Sequence, residues 1–258
     1  MSTRGRVVMV AGNGESTRLV FNGLQRAVGI DKIVIEGPVD RKLFLRRRVE
    51  KLGLRTVAGQ VLFKAMVVKA LELTARARFR EIKRQFDLDD GAIPETARID
   101  VSSINSPEAI EHLRALDPAV VVVNGTRIIA KKVLEAVGAP FINMHAGITP
   151  LYRGVHGGYW ALAKGDREHC GVTVHLVDQG IDTGGILGQA LIDPTPADSF
   201  VTYGVLQIAA GLPLLVEAVK AALAGTLRSR PGPDGASRLW SHPTLGQYVK
   251  SRLLHGTR

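Results

Sequence analysis

Cysteine, aromatic residues and long apolar runs are all scarce in this chain of 258 residues. The one cysteine, Cys170, cannot form a disulfide within the chain, which is typical of proteins from a reducing cytoplasm. No apolar run reaches the roughly 18 residues of a membrane-spanning helix, and no N-terminal stretch has the form of a signal peptide. We therefore expect a globular cytoplasmic protein in which Cys170 is a small packed residue.

Hydrophobic residues make up 45% of the chain, enough for one substantial core. Strand-like runs alternate with helix-like stretches, and residues 119–123 form a continuous apolar run of the kind that parallel sheets bury on both faces. This pattern predicts an α/β fold, an open and mostly parallel twisted sheet with helices on both faces. We expect one domain over residues 1–225 and a short C-terminal tail over residues 226–258.

Residues 141–145 carry the polar side chains that suggest chemistry. In a strand, Asn143 and His145 point to one face, with Phe141 and Met144 expected off that face. A second strand over residues 172–177 leads into a glycine-rich turn that can present Asp182 to the first strand. These three groups suit the transfer of an acyl group to an amine. The imidazole can take a proton, the carboxylate can orient the imidazole, and the amide can donate to an oxyanion.

Several further motifs around this stretch belong to a known pattern. The chain resembles the folate-dependent formyltransferases in Asn143-x-His145, Pro150-x-x-Arg153-Gly154, Trp160, residues 171–175 and residues 181–184. That family includes glycinamide ribonucleotide formyltransferase, methionyl-tRNA formyltransferase and amino-sugar N-formyltransferases. The resemblance implies a Rossmann-like formyltransferase fold, 10-formyltetrahydrofolate as formyl donor without a metal ion, and Asn143, His145 and Asp182 as catalytic residues.

The resemblance also implies where the donor binds. The loop after the strand at 119–123 is similar to the family's folate-contacting loop, and ligands of open α/β sheets bind beyond the carboxyl ends of strands. The residues concerned are Asn124, Gly125, Thr126, Arg127 and Ile128, together with Asp178 and Gly180. The alternative is a plain connecting loop with an exposed Arg127.

A glycine turn at Gly12, Asn13 and Gly14 joins a strand to a helix and could bind a phosphate of the acceptor. The turn resembles the phosphate loop of glycinamide ribonucleotide formyltransferase, but Glu15 brings a negative charge that this loop usually lacks. Arg153 and Gly154 complete the predicted substrate contacts. His175 is interpreted as structural and His156 as a rim residue, because neither has partners at metal-ligand spacing.

The segment at residues 41–90 is a basic helical insertion. Residues 41–84 hold fourteen Lys or Arg and three Glu, a net charge of +11 against +10 for the whole chain. The pattern predicts helices at residues 42–52 and 61–86, separated by a break at Gly53 and Gly59. Three interpretations stay open: a solvated outer face, contact with an anionic membrane surface, or contact with a phosphate-rich substrate. Nucleic acid is disfavoured, because aromatic residues for base stacking are few.

The function we predict is transfer of a formyl group to the primary amine of a small molecule, with a nucleotide-linked amino sugar as the leading acceptor. Methionyl-tRNA formyltransferases carry a further C-terminal barrel, which residues 226–258 are too few to form. Alternatives are a glycinamide ribonucleotide formyltransferase, a 10-formyltetrahydrofolate hydrolase, and a non-catalytic protein that docks on membranes or partners. Whether His145 acts first as acid or base, and whether the chain is a homodimer, stay open.

Overall fold

A computed structural model describes residues 5–232 and 236–258. The strands are β1 Arg6–Gly12, β2 Lys32–Glu36, β3 Arg98–Val101, β4 Pro118–Asn124, β5 Phe141–His145, β6 Arg153–Gly154, β7 Gly171–Leu176, β8 Ile186–Leu191 and β9 Leu239–Trp240. Seven of them form one sheet in the order β3-β2-β1-β4-β5-β7-β8, and β6 pairs with β9. The five strands from β3 to β5 in this order are parallel, and β7 and β8 are antiparallel.

The helices surround this sheet. They are α1 Glu15–Ala27, α2 Arg41–Leu52, α3 Leu54–Leu62, α4 Lys69–Thr74, α5 Arg76–Gln85, α6 Pro107–Leu116, α7 Lys131–Ala136, α8 Gly157–Ala163, α9 Phe200–Leu223 and α10 Leu245–His255. A π-helical segment, Phe63–Val68, joins α3 to α4, and two short 3-10 turns lie at Glu95–Ala97 and Arg167–His169.

The central strands are buried on both faces, as their continuous apolar runs predict. Val121 faces a core with α6 and α7, whereas its neighbours Val120 and Val122 face a second core with α1, α8 and α9. All three side chains are fully buried. The predicted fold class, a mostly parallel sheet with helices on both faces, is confirmed.

Strand β5 sets the positions of the polar residues. Ile142 lies in the core with α1 and α9, and Met144 packs against it. Phe141 lies in the core with α6 and α7. The expectation that Phe141 is off the face of Asn143 and His145 is therefore wrong, because residues two apart in a strand share a face.

The basic insertion folds differently from its prediction. Gly53, with φ of +81°, separates α2 from α3 as expected. Gly59 lies inside α3, where a Cβ atom would meet Thr244 Cβ at 3.0 Å, so this glycine allows a close contact and is not a break. Phe63 is buried against α9 and α10, whereas α2 has no buried residue. The insertion thus joins the core through its second half.

Helix α9 is the longest helix and crosses one face of the sheet. It is the one helix of the described residues that is long and apolar enough to span a membrane by length and composition. It lies against β4, β5, β7, β8 and α1, with Leu206, Leu215 and Val219 in the core. Pro213 lies within the helix, which continues through it. Its apolar composition is accounted for by this packing.

The residues after α9 pack on the rest of the chain. Strand β9 pairs in parallel with β6, and α10 contacts α3 and α8. Tyr248 of α10 is buried beside Phe63 and Tyr159. The predicted tail therefore forms part of the folded body, and the domain boundary at residue 225 stays a prediction.

Candidate functional site

The candidate site lies at the carboxyl ends of β4 and β5, next to the point where the order of the sheet reverses between β1 and β4. Crevices at such points are the usual ligand sites of open α/β sheets. The antiparallel register of β5 and β7 sets Asn143 opposite His175 and His145 opposite Thr173. Asp182 reaches this edge from the turn between β7 and β8.

His145 has an oxygen acceptor at each ring nitrogen. Nε2 lies 2.7 Å from the carbonyl oxygen of Tyr152, to which it donates. Nδ1 lies 3.3 Å from Oδ2 of Asp182. The ring is 6% exposed, and this burial lowers the pKa of His145 below its ordinary value, although Asp182 and the Tyr152 carbonyl oppose the shift. The neutral ring therefore offers Nδ1 as a base, and the Asp182 carboxylate is in place to stabilise the protonated form.

Asp182 is held by the loop that follows β5. Gly154 donates its backbone N–H to Oδ2 over 2.9 Å, and Arg153 donates to the carbonyl of Ile181 over the same distance. Burial alone would raise the pKa of Asp182, but His175, His145 and the Gly154 N–H hold it below its ordinary value. The carboxylate is therefore ionised whenever His145 is available as a base.

Asn143 is oriented by a histidine that the sequence interpretation treated as structural. His175 donates from Nδ1 to the carbonyl of Leu176 over 2.7 Å, so its Nε2 accepts from Nδ2 of Asn143 at 3.1 Å. With Nδ1 as the donor to Leu176, Nε2 is the acceptor in the neutral tautomer. The same Nε2 lies 3.6 Å from Oδ1 of Asp182. The second N–H of the Asn143 amide stays available for an oxyanion. The position of His175 opposite Asn143 follows from the register of β5 and β7, which the sequence alone does not show.

A cavity of about 430 Å³ opens beside these side chains. Asn143, His145 and Asp182 line it, together with the predicted donor contacts Gly125, Thr126, Arg127, Ile128, Asp178 and Gly180. Gly125 has φ of +64° and an open space where a Cβ atom would lie. The β4–α7 loop and the β7–β8 turn therefore form two sides of this cavity, and Gly125 and Gly180 present main chain to it.

Two residues predicted to contact the formyl donor, Asn124 and Arg127, are hydrogen-bonded to other parts of the chain. The amide of Asn124 donates to Ser16 Oγ and Thr17 Oγ1 over 3.3 and 3.2 Å and does not line this cavity. Arg127 donates to Glu36 Oε1 from its backbone and to the carbonyl of Gly37 from its side chain. Glu36, 7% exposed, thus anchors the loop, a role that sequence reasoning missed.

The glycine turn at Gly12, Asn13 and Gly14 lines a neighbouring cavity of about 620 Å³. Arg127 is the one cation among its described lining residues, and Glu36 and the Gly37 carbonyl hold it. Glu15 accepts from Lys83 Nζ over 3.0 Å. The turn therefore has little positive charge of its own for a phosphate.

A third cavity, of about 490 Å³, lies between α1, α8, α9 and the insertion. It shares Met144 and Ala146 with the cavity beside His145, and its described lining contains two carboxylates, Glu15 and Glu72, and no lysine or arginine. The predicted rim residue His156 lines it, half-buried, with Nε2 2.9 Å from Nδ1 of His242. Burial lowers the pKa of His156 to about 3, so this ring is neutral.

Cys170, the one cysteine of the chain, is not placed for chemistry. Cys170 is fully buried, its Sγ lies 3.4 Å from the Gly158 carbonyl, and burial raises the pKa of its thiol to about 12. Within residues 5–232 and 236–258, no group of three or more His, Cys, Asp or Glu could hold a metal ion.

The sequence and the fold both have known counterparts. Residues 64–218 match the family model described as formyl transferase. A methionyl-tRNA formyltransferase from Desulfotalea psychrophila is 33% identical over 129 residues, which cover 50% of this chain and 40% of that protein. The chain spans about half or less of the lengths of the curated relatives it matches.

Two solved structures share the fold at low identity. A sugar N-formyltransferase from Shewanella sp FDAARGOS_354 has a TM-score of 0.57 and 12% identity, covering 95% of this chain and 86% of its own. Glycinamide ribonucleotide transformylase 1 from Symbiobacterium toebii has a TM-score of 0.57 and 17% identity, covering 90% of this chain and 96% of its own. At such identities the likeness is one of fold.

Proposed function

Since the chain belongs to the formyl transferase family, we propose that it transfers a formyl group from 10-formyltetrahydrofolate to the primary amine of a small molecule. One observation carries the proposal. His145 lies between the Tyr152 carbonyl and the Asp182 carboxylate, beside Asn143, on the wall of the 430 Å³ cavity. These are the base, the orienting carboxylate and the oxyanion donor that the reaction needs.

The 430 Å³ cavity is the proposed donor site. The open space at Gly125 lets a planar ring approach the main chain, and Ile128, 63% exposed, offers apolar area at the edge. Backbone groups of Gly125 and Gly180 border the same space. Bound there, the donor supplies an activated formyl carbon next to Asn143.

Transfer then needs only proton movement by the chain. The free amine attacks the formyl carbon and forms a new C–N bond, and the Asn143 N–H stabilises the oxyanion. His145 takes the amine proton at Nδ1, and Asp182 stabilises the imidazolium. The bond from the formyl carbon to the folate nitrogen breaks, and His145 returns the proton to that nitrogen.

The acceptor we propose first is an amino sugar linked to a nucleotide. Its amine would approach through the 490 Å³ cavity, which shares Met144 and Ala146 with the donor cavity. Because Glu15 and Glu72 line that cavity, it suits a neutral or cationic group better than a phosphate. The phosphates would lie toward the 620 Å³ cavity, which shares Ser16 with this one and which Phe44 of the basic helix α2 lines.

We further propose that the basic insertion contacts an anionic membrane surface. This proposal is supported by α2, where Leu43, Phe44 and Leu45 are each over 40% exposed beside Arg41 and Lys42. Basic helices with exposed apolar side chains bind at such surfaces. A homodimer and a cytoplasmic location stay predictions.

A direct test is a screen of acceptors with 10-formyltetrahydrofolate, read by mass spectrometry. Amino-sugar nucleotides, glycinamide ribonucleotide and simple amines are offered separately, with His145→Ala as the control. A mass gain of one formyl group on an amino-sugar nucleotide supports the proposal. Formylation of glycinamide ribonucleotide alone corrects the acceptor, and formate release without any acceptor indicates a hydrolase. No turnover with any of them contradicts the enzyme assignment.

A further inference from the structure

Residues 238–242, which we call the C-terminal strap, run beside the loop between β5 and α8. Arg153 and Val155 of this loop donate their backbone N–H groups to the carbonyls of Arg238 and Trp240, over 3.1 and 3.2 Å. These bonds join β6 to β9 in parallel register. The strap thus holds one edge of an extended stretch of the loop.

The other edge of the same stretch contacts the catalytic pair. The carbonyl of Tyr152 accepts from His145 Nε2 at 2.7 Å, and the N–H of Gly154 donates to Asp182 Oδ2 at 2.9 Å. Successive backbone groups of an extended chain point in opposite directions, so the edge that faces the strap cannot move without moving the edge that faces the site.

Trp240 makes most of the side-chain contacts of the strap. Its ring stacks on Trp160 with centroids 4.6 Å apart and on Tyr152 with centroids 5.9 Å apart. Its indole N–H donates to the Leu151 carbonyl over 3.2 Å. The guanidinium carbon of Arg238 lies 4.4 Å from the centroid of the Trp240 ring. Removing this ring would abolish the stacking and the hydrogen bond to Leu151 that brace the loop, and leave only the short backbone pairing of β6 with β9 between Tyr152 and the strap.

We propose that Trp240 is a positioning residue for His145 and Asp182. It acts through the Tyr152 carbonyl and the Gly154 N–H, and it lines neither the donor cavity nor the two neighbouring cavities. The proposal rests on the proposed function, in which these two side chains move the proton. The strap lies beyond residues 64–218, the part of the chain that matches the family model.

Loosening the loop has a predictable effect on pH dependence. Burial lowers the pKa of His145 below its ordinary value of 6.5, and the ring accepts a proton only when it is neutral. When the loop moves away, water reaches the ring and the Arg153 cation is withdrawn, and relief of burial, the largest cause, outweighs loss of the Tyr152 carbonyl that favours the protonated ring. The pKa of His145 therefore rises toward that value. The acid limb of the kcat profile therefore moves to higher pH.

Trp240→Ala tests the proposal, with Leu239→Ala as a matched control on the same strand. A misplaced catalytic group costs about 10²-fold in rate, so Trp240→Ala should lose kcat by about that factor, with little change in either KM and an acid limb at higher pH. Trp240→Phe, which keeps the stacking, should stay within about 3-fold of the wild type. Leu239 is 46% exposed and reaches Gly154 only with the end of its side chain, so Leu239→Ala keeps the backbone pairing and should cost far less than Trp240→Ala.

A second readout does not depend on activity. Amide hydrogen exchange at Arg153 and Val155 should accelerate in Trp240→Ala and stay protected in Leu239→Ala. If wild type formylates no acceptor, the proposed function fails, and the exchange rates still decide the positioning.

Two results would overturn the positioning role. One is a Trp240→Ala variant whose kcat, pH profile and amide hydrogen exchange all equal those of the wild type. The other is a loss of activity at every pH in proportion to unfolded protein, without a shift of the acid limb. Should Trp240→Ala not fold, Trp240→Leu is measured against the same outcomes.

Discussion

His145 and Asp182 face each other across 3.3 Å at the centre of the proposed site. Replacing His145 by Ala or Asp182 by Asn should lower kcat by about 10² to 10⁴, the usual contribution of a positioned acid or base. The measurement is the initial rate of formylation with the acceptor found in the screen. Circular dichroism and the midpoint of thermal unfolding check that each variant folds.

The control for these variants is His255→Ala, which removes an exposed imidazole away from the site. It should turn over like the wild type. A variant of either catalytic residue with near wild-type kcat would remove that residue from the mechanism.

Gly125 allows a second test at the residue scale, directed at the donor cavity. Gly125→Val places a branched side chain in space that is open in the structure, so it should weaken binding of a non-reactive folate analogue at least 10-fold. Calorimetry measures the affinity. The positive φ adds backbone strain of about 1 to 2 kcal/mol, which has to be separated from the loss of binding.

Gly225→Val supplies that separation, since Gly225 has φ of +67° and equally open surroundings at the end of α9. Both variants should lose similar stability, and only Gly125→Val should lose affinity. Equal affinity in the two variants would place the donor outside the 430 Å³ cavity.

Sequence reasoning predicted Asn143, His145 and Asp182 as catalytic residues, because their spacing and the turn that carries Asp182 are local features. The structure brings the three side chains to one cavity, and their catalytic role stays a prediction. Sequence reasoning missed the orienting role of His175, since opposition to Asn143 depends on the register between β5 and β7, which no local pattern reveals. Glu36 was missed for a similar reason. A glutamate at the end of an apolar strand gives no sign of the distant backbone N–H groups that it accepts, from Ile104 and Arg127.

At the scale of elements, one buried ion pair joins the insertion to the start of α9. Arg78 of α5 donates to both carboxylate oxygens of Asp198, over 2.9 and 3.0 Å, and Asp198 is 1% exposed. Arg78→Ala leaves this carboxylate buried without its cation and should lower the free energy of unfolding by about 3 kcal/mol. Urea denaturation of the two proteins measures the difference.

Arg80→Ala, at an exposed position of the same helix, is the matched control and should change the free energy of unfolding by less than about 0.5 kcal/mol. If both variants are equally stable, α5 is attached weakly and the insertion is an appendage. A large loss confined to Arg78→Ala makes the insertion a part of the fold.

Strands β4, β5 and β7 were predicted to within a residue, because runs such as residues 119–123 are apolar throughout, whereas β6, β8 and β9 were not predicted. The helices of the insertion were predicted less accurately. Gly59 was taken as a break because glycine disfavours helices, yet its missing Cβ lets α3 lie against Thr244 of the C-terminal residues. The role of Gly59 depends on its tertiary contact with Thr244, which the sequence around Gly59 does not indicate.

The whole molecule carries its charge unevenly. Residues 41–84 hold a net charge of +11, more than the +10 of the whole chain, and α2 exposes much of it. Arg48 is not free for a partner, since it donates to Gln60, which donates to the His242 carbonyl. Arg41, Lys42 and Arg47 are exposed and are the better probes of this surface.

Replacing Arg41, Lys42 and Arg47 together with Gln separates the interpretations of the insertion. Surface charge acts on encounter and on salt-sensitive attachment, so kcat should not change. Co-sedimentation with vesicles that contain phosphatidylserine should weaken if α2 contacts a membrane. KM should rise if α2 meets the acceptor's phosphates. Added salt should reduce either effect.

The matched control replaces Lys131, Lys132 and Lys220, basic residues of α7 and α9, with Gln. It removes the same charge from other surfaces and should leave both measurements unchanged. If neither vesicle binding nor KM moves at low ionic strength in the α2 variant, the insertion is a solvated face.

The pairing of β6 with β9 also bears on the order in which the protein forms during synthesis. Arg153 and its partner Leu239 are separated by more than eighty positions, and β7, β8 and α9 lie between them. Sequence distance alone does not set the order, since β1 pairs with β4 across more than a hundred positions, but β9 is made after every strand of the seven-stranded sheet. A nascent chain can complete the sheet, and with it His145 and Asn143, well before Trp240 is made. The catalytic loop is then shaped last, so competence for turnover follows folding of the core as a separate event.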